Sequence, residues 1–334
     1  MDKRGFEFSF AWLFAVIVGA AIIFIAIYAG GKILRTGEFQ QSTETAKALT
    51  TLLDPLGVGA GGSGESAKSG IISLSSPITL YNDCFTDGSF GRQRFSTSGK
   101  KAFSEESGEK GEGIEASNKY IFTRSQIAGR EIYFFSKPFE MPFKVADIIV
   151  ISSENYCFVK PPTGISDEIE SLGIKNIAVK DTTAECIRNI SGIKKEGIVC
   201  FGFSNNDCGQ MVIDTSAGRD FSSGYVEKNL GENPERSSRK KYFAGGLVYA
   251  AIMSDNENYE CNSRRLMMKA NALARLYLEK SKLLSIRGVC DTGMDEGLLR
   301  LSGFISQYYK ASVDLLGVEA AAKTLNQNSF CKLW

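Results

Sequence analysis

Two short spacings in this chain match motifs of hydrolases that pair a serine nucleophile with a lysine base. Ser191 and Lys194 read S-x-x-K, and Ser254, Asp255 and Asn256 read S-D-N. In that chemistry the serine hydroxyl attacks an acyl carbon while a neutral lysine takes its proton, so no imidazole is needed. Motif order argues against it. A K-T-G element must follow the other two, and the near match Lys68-Ser69-Gly70 precedes both. Ser191 also stands in a polar turn instead of opening a buried helix.

Histidine is absent from all 334 residues. This removes Ser-His-Asp and Cys-His catalysis and His-ligated zinc, leaving carboxylate, lysine or tyrosine chemistry. Gly57-x-Gly59-x-x-Gly62 is a formal dinucleotide-binding spacing, but neither the strand before it nor the helix after it is there. It reads as part of a flexible linker. Asp291, Asp295 and Glu296 suit the start of a helix better than a calcium loop. No catalytic, metal or cofactor-binding residue is assigned, and the chain is not read as an enzyme. The net charge of +1 gives no basic bias towards nucleic acid. The local run Arg236-Ser-Ser-Arg239-Lys240-Lys241 reads as a solvated loop.

The eight cysteines are Cys84, Cys157, Cys186, Cys200, Cys208, Cys261, Cys290 and Cys331. None forms C-x-x-C, so paired zinc-ligand spacing is missing. An even, scattered set fits disulfides in an oxidising exterior, with buried thiols as the alternative. Cys200 and Cys208 flank the turn-forming Ser204-Asn-Asn-Asp207, between the apolar stretches Ile198-Val199 and Met211-Val-Ile213. A disulfide closing a hairpin is the expected pairing there. Asn189-Ile190-Ser191 is a glycosylation sequon compatible with an exterior location.

The elements that would carry these residues suggest an α+β protein. A mixed β-rich and α/β extracytoplasmic domain is expected over 71–240, with a C-terminal helical subdomain packed on it over 241–334. Strands are expected at Ile71 to Tyr81, Lys119 to Arg124 and Glu131 to Ser136, with Gln126 to Gly129 turning a hairpin between the last two. Phe103 to Glu115 reads as a mobile loop. The aromatic-rich Phe134 to Phe143 reads as core. Asp147 to Ile151 suits a buried strand that Tyr156 to Val159 continues or pairs with. Ser166 is expected to cap a short helix carrying Ile169 and Leu172, followed by strands at Ile174 to Val179 and Gly197 to Phe203. Together these suggest a small α/β unit. Helices are expected at Tyr242 to Met253, at Asn262 to Ile286 with Leu266, Ala270, Leu273, Tyr277 and Leu284 inward, and around Leu298, Leu301, Ile305 and Tyr308. A shorter one follows at Val318 to Leu325. Arg265 and Lys269 are expected off the apolar face.

All of this hangs from the N-terminus. Phe8 to Gly31 holds no charged residue. About 20 apolar residues in a helix cross a bilayer core. The divisions are a tail at 1–7, a transmembrane helix at 8–31, a helical extension at 32–55 and a Gly/Ser linker at 56–70. The linker would hold the domain away from the bilayer. Lys3 and Arg4 before the span balance Lys32 and Arg35 after it. Orientation therefore rests on the cysteines, which put the bulk of the chain outside the cell membrane.

Lys3-Arg4-Gly5-Phe6 followed by this helix resembles the class III signal peptide of type IV pilin-like proteins. The resemblance implies processing between Gly5 and Phe6. In that family Glu stands fifth after the junction; here Glu7 is second and Phe10 is fifth. The start from Arg4 to Trp12 is similar to that of archaeal membrane-anchored proteins, a likeness that implies no activity. The expected function is binding or assembly at the membrane, with the lipid bilayer and other membrane or surface subunits as partners. A pilin-like surface component is its sharper form. The competing expectation is a membrane-tethered enzyme or ligand receptor working through carboxylates in a deep pocket.

Overall fold

The computed structural model describes residues 10–52, 68–99, 110–202, 208–213, 223–228, 238–243, 246–307, 315–329 and 331–334. The expected tail, the Gly5-Phe6 junction and nearly all of the linker lie outside these residues.

Helix α1 runs unbroken from Phe10 to Leu52. Its 43 residues make a rod about 65 Å long. Gly30, Gly31 and Gly37 fall within it without ending it, although glycine costs a helix interior about 1 kcal/mol each.

The first sheet holds β1 (Lys68–Phe85), β2 (Arg92–Gly99), β3 (Ile114–Ala116), β4 (Tyr120–Phe122), β5 (Gln126–Glu140) and β6 (Lys144–Ser152). Their order is β3-β2-β1-β5-β6-β4, antiparallel except for the β4–β6 pair. Lys68 to Gly70, expected as linker, already belong to β1, and part of the expected loop is β3. Pro77 falls in the stretch of β1 between Ser73 and Ile78 where the register with β5 shifts, a place where a missing N–H does no harm.

Gln126 to Gly129 turn no hairpin. They open β5 and pair with β1, Tyr81 opposite Gln126. Asp255 explains the difference: its carboxylate accepts from the Ser125 hydroxyl at 2.6 Å and from the Ser125 amide. That contact holds the corner after β4 so that β5 leaves towards β1. Strand β6 buries both faces, as its nearly continuous apolar sequence requires. Ile148 and Val150 of β6 face one cluster with Tyr120, Phe122, Phe135 and Phe139. Ile149 and Ile151 face a second with Leu80, Phe95, Ile121 and Ile132.

The second sheet holds β7 (Tyr156–Val159), β8 (Ile177–Lys180), β9 (Ile198–Phe201), β10 (Gln210–Ile213), β11 (Ser223–Lys228) and β12 (Ser238–Phe243), in the order β12-β11-β10-β9-β7-β8. Helix α2 (Thr163–Leu172) links β7 to β8, and α3 (Thr183–Asn189) leads towards β9. β8, β7, β9 and β10 are parallel, which is the expected α/β unit. Tyr156 neither continues β6 nor pairs with it. The Tyr156 amide donates to the Asn176 carbonyl at 2.7 Å, and the Asn176 side-chain amide donates to the Glu154 carbonyl at 2.9 Å, so β7 starts a new sheet. Ser166 lies inside α2, whose N-cap position is Pro162.

Two further expectations are corrected at β12. Residues 238–241 are strand, not solvated loop, and Tyr242 belongs to that strand instead of the helix after it. The expected boundary at 240/241 therefore cuts through an element. Helix α4 (Gly246–Met253) is buried on every face, its sequence having no polar stripe. Helices α5 (Asn256–Ile286), α6 (Asp295–Gln307) and α7 (Leu315–Asn328) complete the fold. Leu266, Ala270, Leu298, Leu301 and Ile305 join the same cluster as Phe122, Phe158 and Phe201 of the strands, so sheets and C-terminal helices share a core.

All eight cysteines pair, as Cys84–Cys261, Cys157–Cys186, Cys200–Cys208 and Cys290–Cys331. Cys200 and Cys208 close no hairpin, because β9 and β10 run parallel.

Candidate functional site

The anchor-like part of α1 is Trp12–Ala29, with mean hydropathy 2.6 and none of it buried against the rest of the protein. By length and composition it is sufficient to cross a membrane. Ile22, Ile23, Phe24 and Ile25 point in four successive directions around the helix, and all are 60–73% exposed. No face of this segment packs against the rest of the described chain. Trp12 and Tyr28 stand at its two ends, where amphipathic rings favour a lipid–water boundary.

The outer part of the same helix is docked. Ser42, Thr43, Ala46 and Leu49 are buried. Their spacing of i, i+1, i+4 and i+7 makes one narrow stripe. Small residues in three of those positions let backbone approach backbone. The Thr97 hydroxyl of β2 donates to the Ser42 carbonyl at 2.7 Å. The Thr43 hydroxyl donates to the Phe39 carbonyl at 2.9 Å and accepts from the Glu112 amide at 3.0 Å. Gly111 passes so close that an added Cβ would lie 2.7 Å from the Thr43 nitrogen. Leu49 enters the cluster of Leu80, Phe95 and Ile121 on the sheet. At the end of the helix, where carbonyls lack partners, the Lys119 ammonium donates to the Thr50 carbonyl at 3.1 Å. The domain is thus fastened directly to the helix instead of hanging only from a linker.

Lys119 also joins α1 to α5. Its backbone carbonyl accepts from Arg265 Nη1 at 3.0 Å. Arg265, expected off the apolar face, is fully buried. It donates further to Asn262 Oδ1 at 2.7 Å and to the Phe90 carbonyl at 3.1 Å, and lies over the Tyr120 ring. Burial pulls its guanidinium down to about 10, partly offset by Tyr120, so it stays charged at neutral pH. Beside it, Asn82, Gln93, Asn258 and Asn262 form a buried ladder of amides, and Cys84–Cys261 pins β1 to α5.

The cavities were the other place where chemistry was expected. One of about 330 Å³ is lined by Arg124, Ser152, Ser153, Glu154, Lys194 and Met253, among others. Its carboxylate, Glu154, is held by Arg124 at 2.8 Å and Lys194 at 3.2 Å. Close by, Lys228 and Lys240 converge on the C-terminal end of α4. Both donate to the Ser254 carbonyl, at 3.1 and 2.5 Å, and Lys240 also to the Ala251 carbonyl at 2.9 Å. Burial, reinforced by the charge of Lys228, pulls Lys240 down to about 6. Burial and the charge of Arg124 pull Lys228 down to about 8. Lys240 is 4% exposed, and the Ser254 hydroxyl is enclosed without a partner in the structure. This arrangement caps the C-terminal end of α4.

A larger groove of about 650 Å³ follows one face of α5, with Glu257 and Glu260 on its solvent side. Asp255, the middle residue of the S-D-N match, caps α5 by accepting from the Asn258 amide at 2.8 Å. Ser191 lies in an exposed turn. The two hydrolase-like spacings therefore assemble no nucleophile–base pair. Asp291 accepts from the Gly293 amide in a turn, and Asp295, the first residue of α6, accepts from the Ser281 hydroxyl of α5. Among the described residues, no group of three or more acidic or cysteine side chains could hold a metal ion.

Sequence reasoning reached the helical spacing of Ala46 and Leu49 but not what it docks on, and it missed the burial of Lys240 and Arg265. The spacing of Ser42, Thr43, Ala46 and Leu49 was legible as a stripe. Nothing local marked Lys240 or Arg265 as interior. No protein-family model, curated protein or solved structure matches the chain.

Proposed function

We propose that the chain is a single-pass membrane protein whose extracytoplasmic domain acts by binding or assembly, held rigidly on its own anchor helix. The observation that carries this is continuity: one helix is apolar and uncovered over Trp12–Ala29 and packed into the sheet from Ser42 to Leu49. From Tyr28 to Ser42 the helix rises about 20 Å, enough to clear the headgroups before the domain begins. Four disulfides support the oxidising side as the domain's location. The partners are the bilayer and other membrane or surface subunits. In its sharper, pilin-like form the chain is processed between Gly5 and Phe6 before assembly. The enzyme or receptor alternative needs converging buried carboxylates, and Glu154 is already neutralised by two cations.

Alkaline washing of native membranes tests the anchor: the chain stays with the lipid, and release into the wash would overturn the reading. Mass spectrometry of the native N-terminus tests the sharper form. A chain starting at Phe6 supports it; a retained Met1 removes it and leaves the anchor standing.

A further inference from the structure

We propose that Asn189 carries an N-linked oligosaccharide, an inference that rests on the extracytoplasmic placement above. Asn189-Ile190-Ser191 has the spacing this modification needs, because a hydroxyl two residues on can engage the amide that must become a nucleophile. The structure presents it openly. Asn189 is the last residue of α3; Ile190 leaves the helix extended, at φ −116° and ψ 104°. Gly192 then turns the chain with φ +71°, a left-handed value that suits glycine. Asn189 and Ser191 are exposed, and their side chains bond to no other described group.

The asparagines of the interior are the opposite case. Asn82, Asn176, Asn258 and Asn262 are buried, with their amides committed to other groups. The sequon is also presented on a fixed platform. Cys186 ties α3 to β7 through Cys157, and the Thr182 hydroxyl accepts from the Glu185 amide at 3.2 Å to cap its start. Ile187, two residues before the asparagine, is 64% exposed, apolar surface that an adjacent glycan would shield from other chains.

The reaction requires an oligosaccharide activated on a lipid-linked phosphate and a transferase. Asn189 Nδ2 attacks the anomeric carbon. The new N–C bond forms as the C–O bond to phosphate breaks; the lipid phosphate leaves with the electron pair, and the amide proton passes to a carboxylate of the transferase.

The test is mass spectrometry of the tryptic peptide 189–194 from chain purified from its native membrane, with cysteine oxidation measured on the same sample. A series of sugar-mass additions on that peptide is expected, lost in Asn189→Gln and Ser191→Ala and kept in Ser191→Thr. An unmodified peptide from chain whose cysteines are all oxidised overturns this proposal and leaves the placement standing. An unmodified peptide from chain with free thiols overturns both.

Discussion

The hydroxyl of Thr97 donates to the carbonyl of Ser42 at 2.7 Å, so a strand of the first sheet is hydrogen-bonded to the same helix that exposes Trp12–Ala29. A movement or rotation of the helix must therefore be felt by β2, since Gly111, Thr43 and Glu112 close the same seam. A flexible tether would transmit neither.

Gly111 is the most sensitive point of that seam. Its absent Cβ would meet backbone atoms of α1, at 2.7 Å from Thr43 and 2.9 Å from Ser42, and backbone cannot swing away. Gly111→Ala is expected to cost about 1–3 kcal/mol, read as a lowered unfolding midpoint of the full chain in detergent. Earlier proteolysis between residues 30 and 52 should accompany it. An unchanged midpoint would mean that helix and sheet are not packed this closely.

Arg265 should tolerate no replacement. Arg265→Lys keeps the charge but cannot reach the carbonyls of Lys119 and Phe90 and the Asn262 side chain together. Leaving buried acceptors unpaired costs about 1–3 kcal/mol per group. Urea unfolding of Arg265→Lys should show a loss of at least about 2 kcal/mol.

Lys240 makes stability depend on pH in a definite direction. Its pKa falls from 10.5 to about 6 on folding, so between those values the unfolded chain binds more protons than the folded one. Stability must then rise with pH above about 6 and level off below it, with a slope of up to about 1.4 kcal/mol per pH unit for one proton. Lys228, pulled to about 8, adds to the slope above that pH. Chemical denaturation of Lys240→Met from pH 6 to 8 should show the slope largely removed; a slope equal to that of the unsubstituted protein would place the lysine in water.

The disulfides should differ in weight. Cys84–Cys261 closes a loop of 177 residues and Cys200–Cys208 one of 8. Chain entropy gives about 5 kcal/mol for the first and about 2.5 kcal/mol for the second. The paired alanine variants should lower the melting temperature in that order, as measured by calorimetry.

What was legible in the sequence followed from local pattern. The uninterrupted apolar run marked α1, alternating and continuous apolar stretches marked β1, β6 and β9, and the spacing of Leu266, Ala270 and Leu273 marked the inner face of α5. What was not legible depended on distant partners. Gln126 to Gly129 look like a turn until Asp255, on another element, holds Ser125. Lys240 sits in a basic run that belongs in water by composition, yet α4 offers it the carbonyls of Ala251 and Ser254. Cys200 and Cys208 were adjacent enough to suggest their bridge, but not the parallel strands around it. The docking stripe on α1 was visible as small residues; that it meets Gly111 and Thr97 was not.

The central claim is tested most directly by labelling intact cells with a membrane-impermeant amine reagent and mapping the modified lysines by mass spectrometry. Lys144 and Lys194 have half or more of their side chains exposed on the domain, at 50% and 69%, and should be labelled. On chain that keeps the residues before Phe6, Lys3 should be protected until the membrane is permeabilised. Labelling of Lys3 with protection of Lys144 and Lys194 would put the domain in the cytoplasm and contradict the account.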